Sequence, residues 1–272
     1  MSNSSIIVVK LGGTEGLDFS AICADAARLV ASGQKLIFVH GGSAEANALG
    51  DALGKPPKFI TSPSGYTSRY TSRETLEVFL MAVNGKVNSL LTEQLRSLGV
   101  NAFGLSGLDG GLMMAARKDS IQSVENGKRK IIRDDYTGKI DSVNTGLLNA
   151  LLDLDLLPVI APVAVSAKGE ALNVDADRAA AMLAAALRAE TLILLTAVPG
   201  LLAEFPDEST LIQKLSRAQL PAALEMAQGR MKKKVLGAQE ALEGGTARVI
   251  IADGRIPQPI TAALGGAGTL IQ

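Results

Sequence analysis

Apolar runs and helical apolar stripes alternate along the chain, and each run closes on turn residues. Residues 6–9 are uninterruptedly apolar and lead into Lys10, Gly12 and Gly13. Such a run reads as a strand buried on both faces of a parallel sheet. Residues 35–40 repeat the pattern and end in Gly41-Gly42, with Ser43 as a plausible N-cap for a helix through Leu53. Helical stripes are expected over 18–31, 73–98, 144–156, 179–189 and 228–242. In the longest, Leu76, Leu80, Val83, Val87, Leu90 and Leu95 fall at helical spacing, as a core or dimer seam requires. Further strands are expected over 100–105, 158–161, 191–196, 248–252 and 269–271. Turn signals at 62–65, 125–127 and 168–169 mark hairpins inserted between these units. The alternation predicts a doubly wound α/β fold: a three-layer αβα sandwich with a mainly parallel sheet and inserted β-hairpins. It covers 1–272 as a single domain, whose ligand-facing halves are about 1–190 and 191–272.

The chain has 272 residues, enough for one large or two small domains. Lys plus Arg and Asp plus Glu balance at 27 each, which argues against bulk electrostatic binding to nucleic acid. Aromatic residues are 3% and tryptophan is absent, which argues against base-stacking surfaces. A single cysteine, Cys23, allows no internal disulfide and reads as a packed thiol. The N-terminus carries no basic-then-apolar leader, and no apolar run approaches the ~20 residues that cross a bilayer. A soluble, cytoplasmic protein without membrane contact is expected.

Two consecutive strands ending in glycine turns face the same edge of a parallel sheet, the edge where open α/β sheets bind ligands. Neither G-x-G-x-x-G nor G-x-x-x-x-G-K-[ST] is present, so neither a Rossmann site nor a P-loop is supported. What remains is a set of cations, glycines and nearby carboxylates, which suits phosphoryl transfer. Lys10 stands at a strand end beside glycines, where a buried cation needs a reason. Lys232, Lys233 and Lys234 are either a solvated face or a run of which one points inward, since helix positions lie ~100° apart. Asp177, near a helix start, is either a dipole partner or the group that holds Lys10 and Lys233. Arg69, on an inserted hairpin, is either a surface arginine or a two-donor carboxylate clamp. His40 fits a structural imidazole better than a base. No metal cage is visible, and magnesium carried in on ATP needs few protein ligands.

KLGG at 10–13, HGGS at 40–43, Arg69, GLSGLDG at 104–110, NVDAD at 173–177, LLTAVPGLL at 194–202 and GRMKKKV at 229–235 fall in the order seen in amino-acid kinases. The chain resembles acetylglutamate kinases from end to end. It is more similar still to their relatives that act on a carrier-protein-bound amino acid, the [LysW]-aminoadipate/glutamate kinases. HGGS, SRYTSRETLE at 68–77, DDYTG at 134–138 and QGRMKKKV at 228–235 favour that branch.

The resemblance implies ATP with Mg2+ as cosubstrate and an acyl phosphate as product. The acceptor would be aminoadipate or glutamate linked to an acidic carrier protein, with N-acetylglutamate as the alternative. It implies Lys10 and Lys233 as the lysines flanking the transferred group and Asp177 as their organiser. Gly41, Gly42, Ser43, Arg69 and Asn173 would hold the acceptor. Gly12, Gly13, Thr196, Ala197, Gly200, Leu201, Pro206, Gly229 and Met231 would hold ATP. Asp175 stands where acetylglutamate kinases commonly show Asn. A homodimer packed about the long helix is implied. An acidic carrier needs a basic landing surface, and Arg117, Lys118, Lys128, Arg129, Lys130 and Arg133, with Arg69 and Arg73 near the mouth, are either that surface or a scattered solvated face. The 1–190 half would bind the acceptor and the 191–272 half ATP.

Overall fold

The computed structural model describes residues 5–12, 17–63, 67–125 and 128–272. Gly13, the tip of the 62–65 turn and Asn126-Gly127 lie outside the described residues.

An eight-stranded sheet forms the middle layer. Its order is Lys214–Leu215, Thr269–Ile271, Arg248–Asp253, Thr191–Thr196, Ile6–Leu11, Lys35–His40, Leu157–Ala161 and Ala102–Ser106. The six strands from Arg248–Asp253 to Ala102–Ser106 are parallel; the Thr269–Ile271 strand pairs antiparallel with Arg248–Asp253. Ile6–Leu11 therefore has Lys35–His40 on one side and Thr191–Thr196 on the other. That is a topological switch point, where a crevice opens beyond the carboxyl ends of the strands.

Alternation along the strands decides which side chains meet which helices. Ile7, Val9, Phe38 and Leu195 pack with the helix Phe19–Ala31, the 73–97 helix and the helix Pro259–Leu264. Val8, Ile37, Val39 and Leu194 pack with Thr145–Asp153, Ala176–Ala186, Leu220–Met226 and Gly229–Glu243. Lys10 has the parity of Val8 and so faces Ala176–Ala186. His40 has the parity of Phe38 and so faces the 73–97 helix.

The inserted strands form two four-stranded sheets. One is ordered Thr67–Arg69, Phe59–Thr61, Ile121–Glu125 and Lys128–Ile132. The other is ordered Ala171–Asn173, Val163–Val165, Met113–Arg117 and Gly138–Val143.

Two local expectations are corrected. Ser43 is the first residue of the helix Ser43–Ala52, and Gly42 occupies the cap position with no side-chain bond. A Cβ on Gly42 would stand 2.6 Å from Val83 Cγ1, so a side chain has no room there. In the long helix, Leu90 is exposed and Leu91 is buried. The segment Met81–Asn88 has π-helical turns, whose extra residue per turn shifts the phase of everything after it. The helix Leu220–Met226 and the two-residue strand Lys214–Leu215 are additions to the expected elements.

Candidate active site

Lys10 lies next to the last residue of the central strand and points across the switch point to Asp177 in the first turn of Ala176–Ala186. The Lys10 Nζ–Asp177 Oδ1 distance is 2.9 Å. Lys234, in the second turn of Gly229–Glu243, donates from Nζ to the same Oδ1 at 2.8 Å. All three residues are buried. Burial alone would push the Asp177 carboxyl up, but the two ammonium groups outweigh it and hold the carboxyl well below the usual range. Lys234 is pushed down to about 8, mainly by burial and then by repulsion from Lys10, against the pull of Asp177.

Lys233 is not the second partner of Asp177. Its Nζ donates to Asp175 Oδ2 at 3.2 Å, and its side chain is half-exposed. The helix phase sets this outcome, because adjacent positions point ~100° apart and only one of the three lysines can face the sheet. Asp175 is a working residue of the same corner. Its Oδ1 accepts from Asp177 N at 3.0 Å and from Arg178 N at 3.2 Å, capping the helix that carries Asp177.

These groups line a cavity of about 170 Å³ together with Gly12, Gly41, Gly42, Ser43, Thr196 and Arg230. Four cations (Lys10, Arg230, Lys233, Lys234) face two carboxylates (Asp175, Asp177) across it. The surplus of positive charge beside bare glycine backbone is a receptor for a polyanion. The cavity thus gathers Lys10, Gly12, Gly41, Gly42, Ser43, Asp177, Thr196 and Lys233 from the expected set. It adds Lys234, Asp175 and Arg230.

Other expected residues stand outside its wall. Arg69 is buried under Phe59, and its Nη2 donates to Ser43 O at 3.3 Å and to Asn47 Oδ1. Asn173 Nδ2 donates to Thr71 Oγ1 at 3.1 Å. Gly200 and Leu201 pack on the last strand, with Leu201 N donating to Thr269 Oγ1 at 2.8 Å. Pro206 and Gly229 are exposed, Ala197 is half-buried, and Met231 packs against the core.

His40 does no proton chemistry in this arrangement. Its Nδ1 lies 2.7 Å from Gly41 O, and its Nε2 lies 3.0 Å from Asn88 Nδ2. A neutral ring with the proton on Nδ1 satisfies both contacts, and burial pushes its pKa down to about 4. Asn88 Nδ2 also donates to Val159 O at 2.8 Å, so one side chain ties the long helix to the end of one strand and the middle of the next.

A second cavity of about 800 Å³ opens between the Phe59–Thr61/Thr67–Arg69 hairpin and the body of the protein. Asp175 lines both cavities, and Lys118 and Lys139 supply positive charge to the larger one, whose Arg178 is paired with Glu240. The expected basic surface is thinned by the structure. Arg117 is bonded to Glu170 at 2.9 Å and stacked 3.6 Å over Tyr136, and Arg73 is paired with Glu77. Lys118, Lys128, Arg129, Lys130 and Arg133 are exposed. Among the described residues, no group of three His, Cys, Asp or Glu side chains is placed to hold a metal ion. No helix among them is long and apolar enough to cross a membrane.

Residues 5–253 match the amino acid kinase family model. The chain belongs to the amino acid kinase family. Within this family it is 57% identical over 267 residues to a [LysW]-aminoadipate kinase of Deinococcus radiodurans, covering 98% of this chain and 91% of that one. It is 51% identical to a [LysW]-aminoadipate kinase of Thermus thermophilus, covering 98% and 100%. Among solved structures, N-acetylglutamate synthase from Neisseria gonorrhoeae complexed with coenzyme A and N-acetyl-glutamate superposes with a TM-score of 0.79 at 27% identity. That match covers 98% of this chain and 59% of the synthase. Carbamate kinase from Giardia lamblia bound to AMP-PNP shares the fold, with a TM-score of 0.70 at 17% identity. The amino-acid kinase fold and the kinase activity expected from the sequence hold.

Proposed function

We propose that this kinase transfers the γ-phosphoryl group of ATP to the side-chain carboxylate of 2-aminoadipate whose amino group is amide-linked to an acidic carrier protein. A carboxylate oxygen attacks the γ-phosphorus, the bond to the ADP oxygen breaks, and ADP leaves with that electron pair. The product is an acyl phosphate. An ionised carboxylate needs no base, which suits a site whose histidine is neutral and structural. What the step does need is positive charge around the migrating group. The observation that carries the reading is the convergence of Lys10 and Lys234 on one oxygen of Asp177, at 2.9 and 2.8 Å. Asp177 fixes both ammonium groups before reaction, so neither has to reorganise as charge develops.

Lys234 takes the role that the sequence reading gave to Lys233. Lys233 and Arg230, on the outer wall, would meet the nucleotide phosphates. Backbone N–H groups at Gly12 and Gly42 would receive phosphate and acceptor oxygens, the Gly41 N–H being bonded to Leu11 O at 3.0 Å, and Arg69 and Asn173 would receive the acceptor's carboxylate and amide. The carboxylates at the cavity are committed to lysines, so Mg2+ would be held by the ATP phosphates and water, where it would neutralise phosphate charge.

The carrier-linked acceptor is supported by the names of the two relatives above half identity and by the larger cavity. A volume of about 800 Å³ exceeds what one amino acid fills, and Lys118 and Lys139 suit an acidic chain entering there. Lys128, Arg129, Lys130 and Arg133 extend that charge over the neighbouring hairpin. We infer a homodimer about the long helix, where Met81 and Leu90 are exposed, and a cytoplasmic setting.

ATP turnover with carrier-linked aminoadipate, carrier-linked glutamate and free N-acetylglutamate tests the proposal. Turnover of carrier-linked aminoadipate is expected. Turnover of N-acetylglutamate alone would overturn the carrier reading and leave a plain acetylglutamate kinase.

A further inference from the structure

Residues 134–137 are laced to residues 69–73. Tyr70 Oη donates to Asp134 Oδ2, and Thr71 N donates to Asp135 Oδ1 at 2.9 Å. Tyr136 N donates to Thr71 O at 2.7 Å, and Asn173 N donates to Tyr136 O at 2.9 Å. The centre of this lacing is Thr71, which is fully buried. Its hydroxyl donates to Arg69 O at 3.3 Å and accepts from Asn173 Nδ2 at 3.1 Å. One hydroxyl thus touches both residues assigned to the acceptor.

The direction of these bonds matters. The hydroxyl has one proton, and Arg69 O receives it. Only lone pairs then face Asn173, so Asn173 must present its NH2 group to Thr71. Its carbonyl oxygen is then turned away from Thr71. Asp135 fixes the start of this chain. It is a buried carboxylate whose remaining oxygen accepts from Thr137 N at 3.1 Å and from Thr137 Oγ1. Arg117 closes the back by donating from Nε to Asp135 O at 2.9 Å.

We propose that Thr71, held by Asp135, is a positioning residue that sets the side-chain orientation of Asn173 and the backbone of Arg69 for the acceptor. The inference rests on the reading that Arg69 and Asn173 receive the acceptor. It gives the SRYTSR and DDYTG segments a shared purpose: together they form the clasp. A secondary amide N–H on the acceptor, as in an amino group masked by a carrier, is the donor that the turned Asn173 oxygen suits.

Steady-state kinetics with carrier-linked aminoadipate and ATP test this. Thr71→Val keeps the side-chain shape and removes the hydroxyl. It is expected to raise the acceptor KM about tenfold, the effect of one lost hydrogen bond, with the ATP KM unchanged. Thr71→Ser keeps the hydroxyl and is expected to restore the acceptor KM to within about twofold. An unchanged acceptor KM in T71V overturns the proposal, as does an equal rise in both KM values, which marks general loosening. If T71V does not fold, Thr71→Ala is read by the same split. In parallel, Arg69→Met and Asn173→Ala test the underlying reading. If they raise the acceptor KM and T71V does not, only the clasp falls. If neither does, the acceptor site itself has been misassigned.

Discussion

Lys234 and Asp177 stand 57 positions apart in the chain and meet at 2.8 Å in the buried end of the smaller cavity. Lys233, the neighbouring side chain, reaches Asp175 instead. The two lysines therefore separate experimentally. Lys234→Ala is expected to lower kcat on the order of 10²-fold or more, as removal of a charge-stabilising donor does. Lys233→Ala, on the wetter rim, is expected to cost under about tenfold and to appear mostly in the ATP KM. A larger kcat loss in K233A than in K234A would reverse the assignment.

The ammonium of Lys234 loses its proton near pH 8 because burial and Lys10 disfavour the charge. Below about 8 it is charged and able to stabilise the transferred group; above that value it is neutral. The ratio kcat/KM for ATP reports the free enzyme, so it is expected to fall as pH rises through about 8. Bound nucleotide phosphates favour the charged amine, so kcat should hold to higher pH. A kcat/KM profile flat from pH 7 to 9.5 would contradict this.

His40 is the only histidine in the chain, which makes its contribution to acid stability separable. Its pKa is pushed from 6.5 down to about 4 by burial. Above pH 6.5 neither state carries the extra proton and stability is unaffected. As pH falls from 6.5 towards 4, the unfolded chain takes up a proton that the folded chain refuses. Stability should drop by roughly 3 kcal/mol across that window. Urea midpoints measured at pH 7, 5.5 and 4.5 check this, and in His40→Gln the slope between 7 and 5.5 should vanish.

Gly42 is required by its neighbour rather than by its backbone angles. An added methyl would stand 2.6 Å from Val83 Cγ1. Gly42→Ala is expected to destabilise by about 1–3 kcal/mol through overpacking and to weaken ATP binding. Val83→Ala opens that space, so the double variant should lose less than the sum of the single losses. Additive losses in thermal unfolding would remove the steric explanation.

Most of the sheet was legible because doubly buried strands are written as unbroken apolar runs ending in glycines, as at Ile6–Leu11 and Lys35–His40. The cavity wall was legible for the same reason: parallel strands put their ends on one edge. The choice among Lys232, Lys233 and Lys234 was not legible. Three identical side chains carry no pattern, and the phase depends on where the helix begins, at Gly229 with its positive φ of 51°. The π-helical segment was hidden as well, since an extra residue per turn leaves composition unchanged. Asn88 had a signal: it is a polar residue beside Val87 and Leu91 in an apolar stripe. Thr71, Asp135 and Asn47 act through partners distant in sequence, which no local spacing reveals. Helix Leu220–Met226 is only seven residues long, too short for a helical apolar stripe to stand out, although Pro221 in its first turn is a start signal.

The strand Ile6–Leu11 precedes both of its sheet neighbours in the chain, yet the second of them, Thr191–Thr196, follows some 180 residues later. A nascent chain halted before Thr191 would carry that strand with one hydrogen-bonding edge open. Lys10 would then lack the helix bearing Lys234, which emerges later still. Birth of the Lys10–Asp177–Lys234 corner is thus tied to emergence of the helix Gly229–Glu243, and shielding of a bare strand edge becomes a demand on folding in the cell.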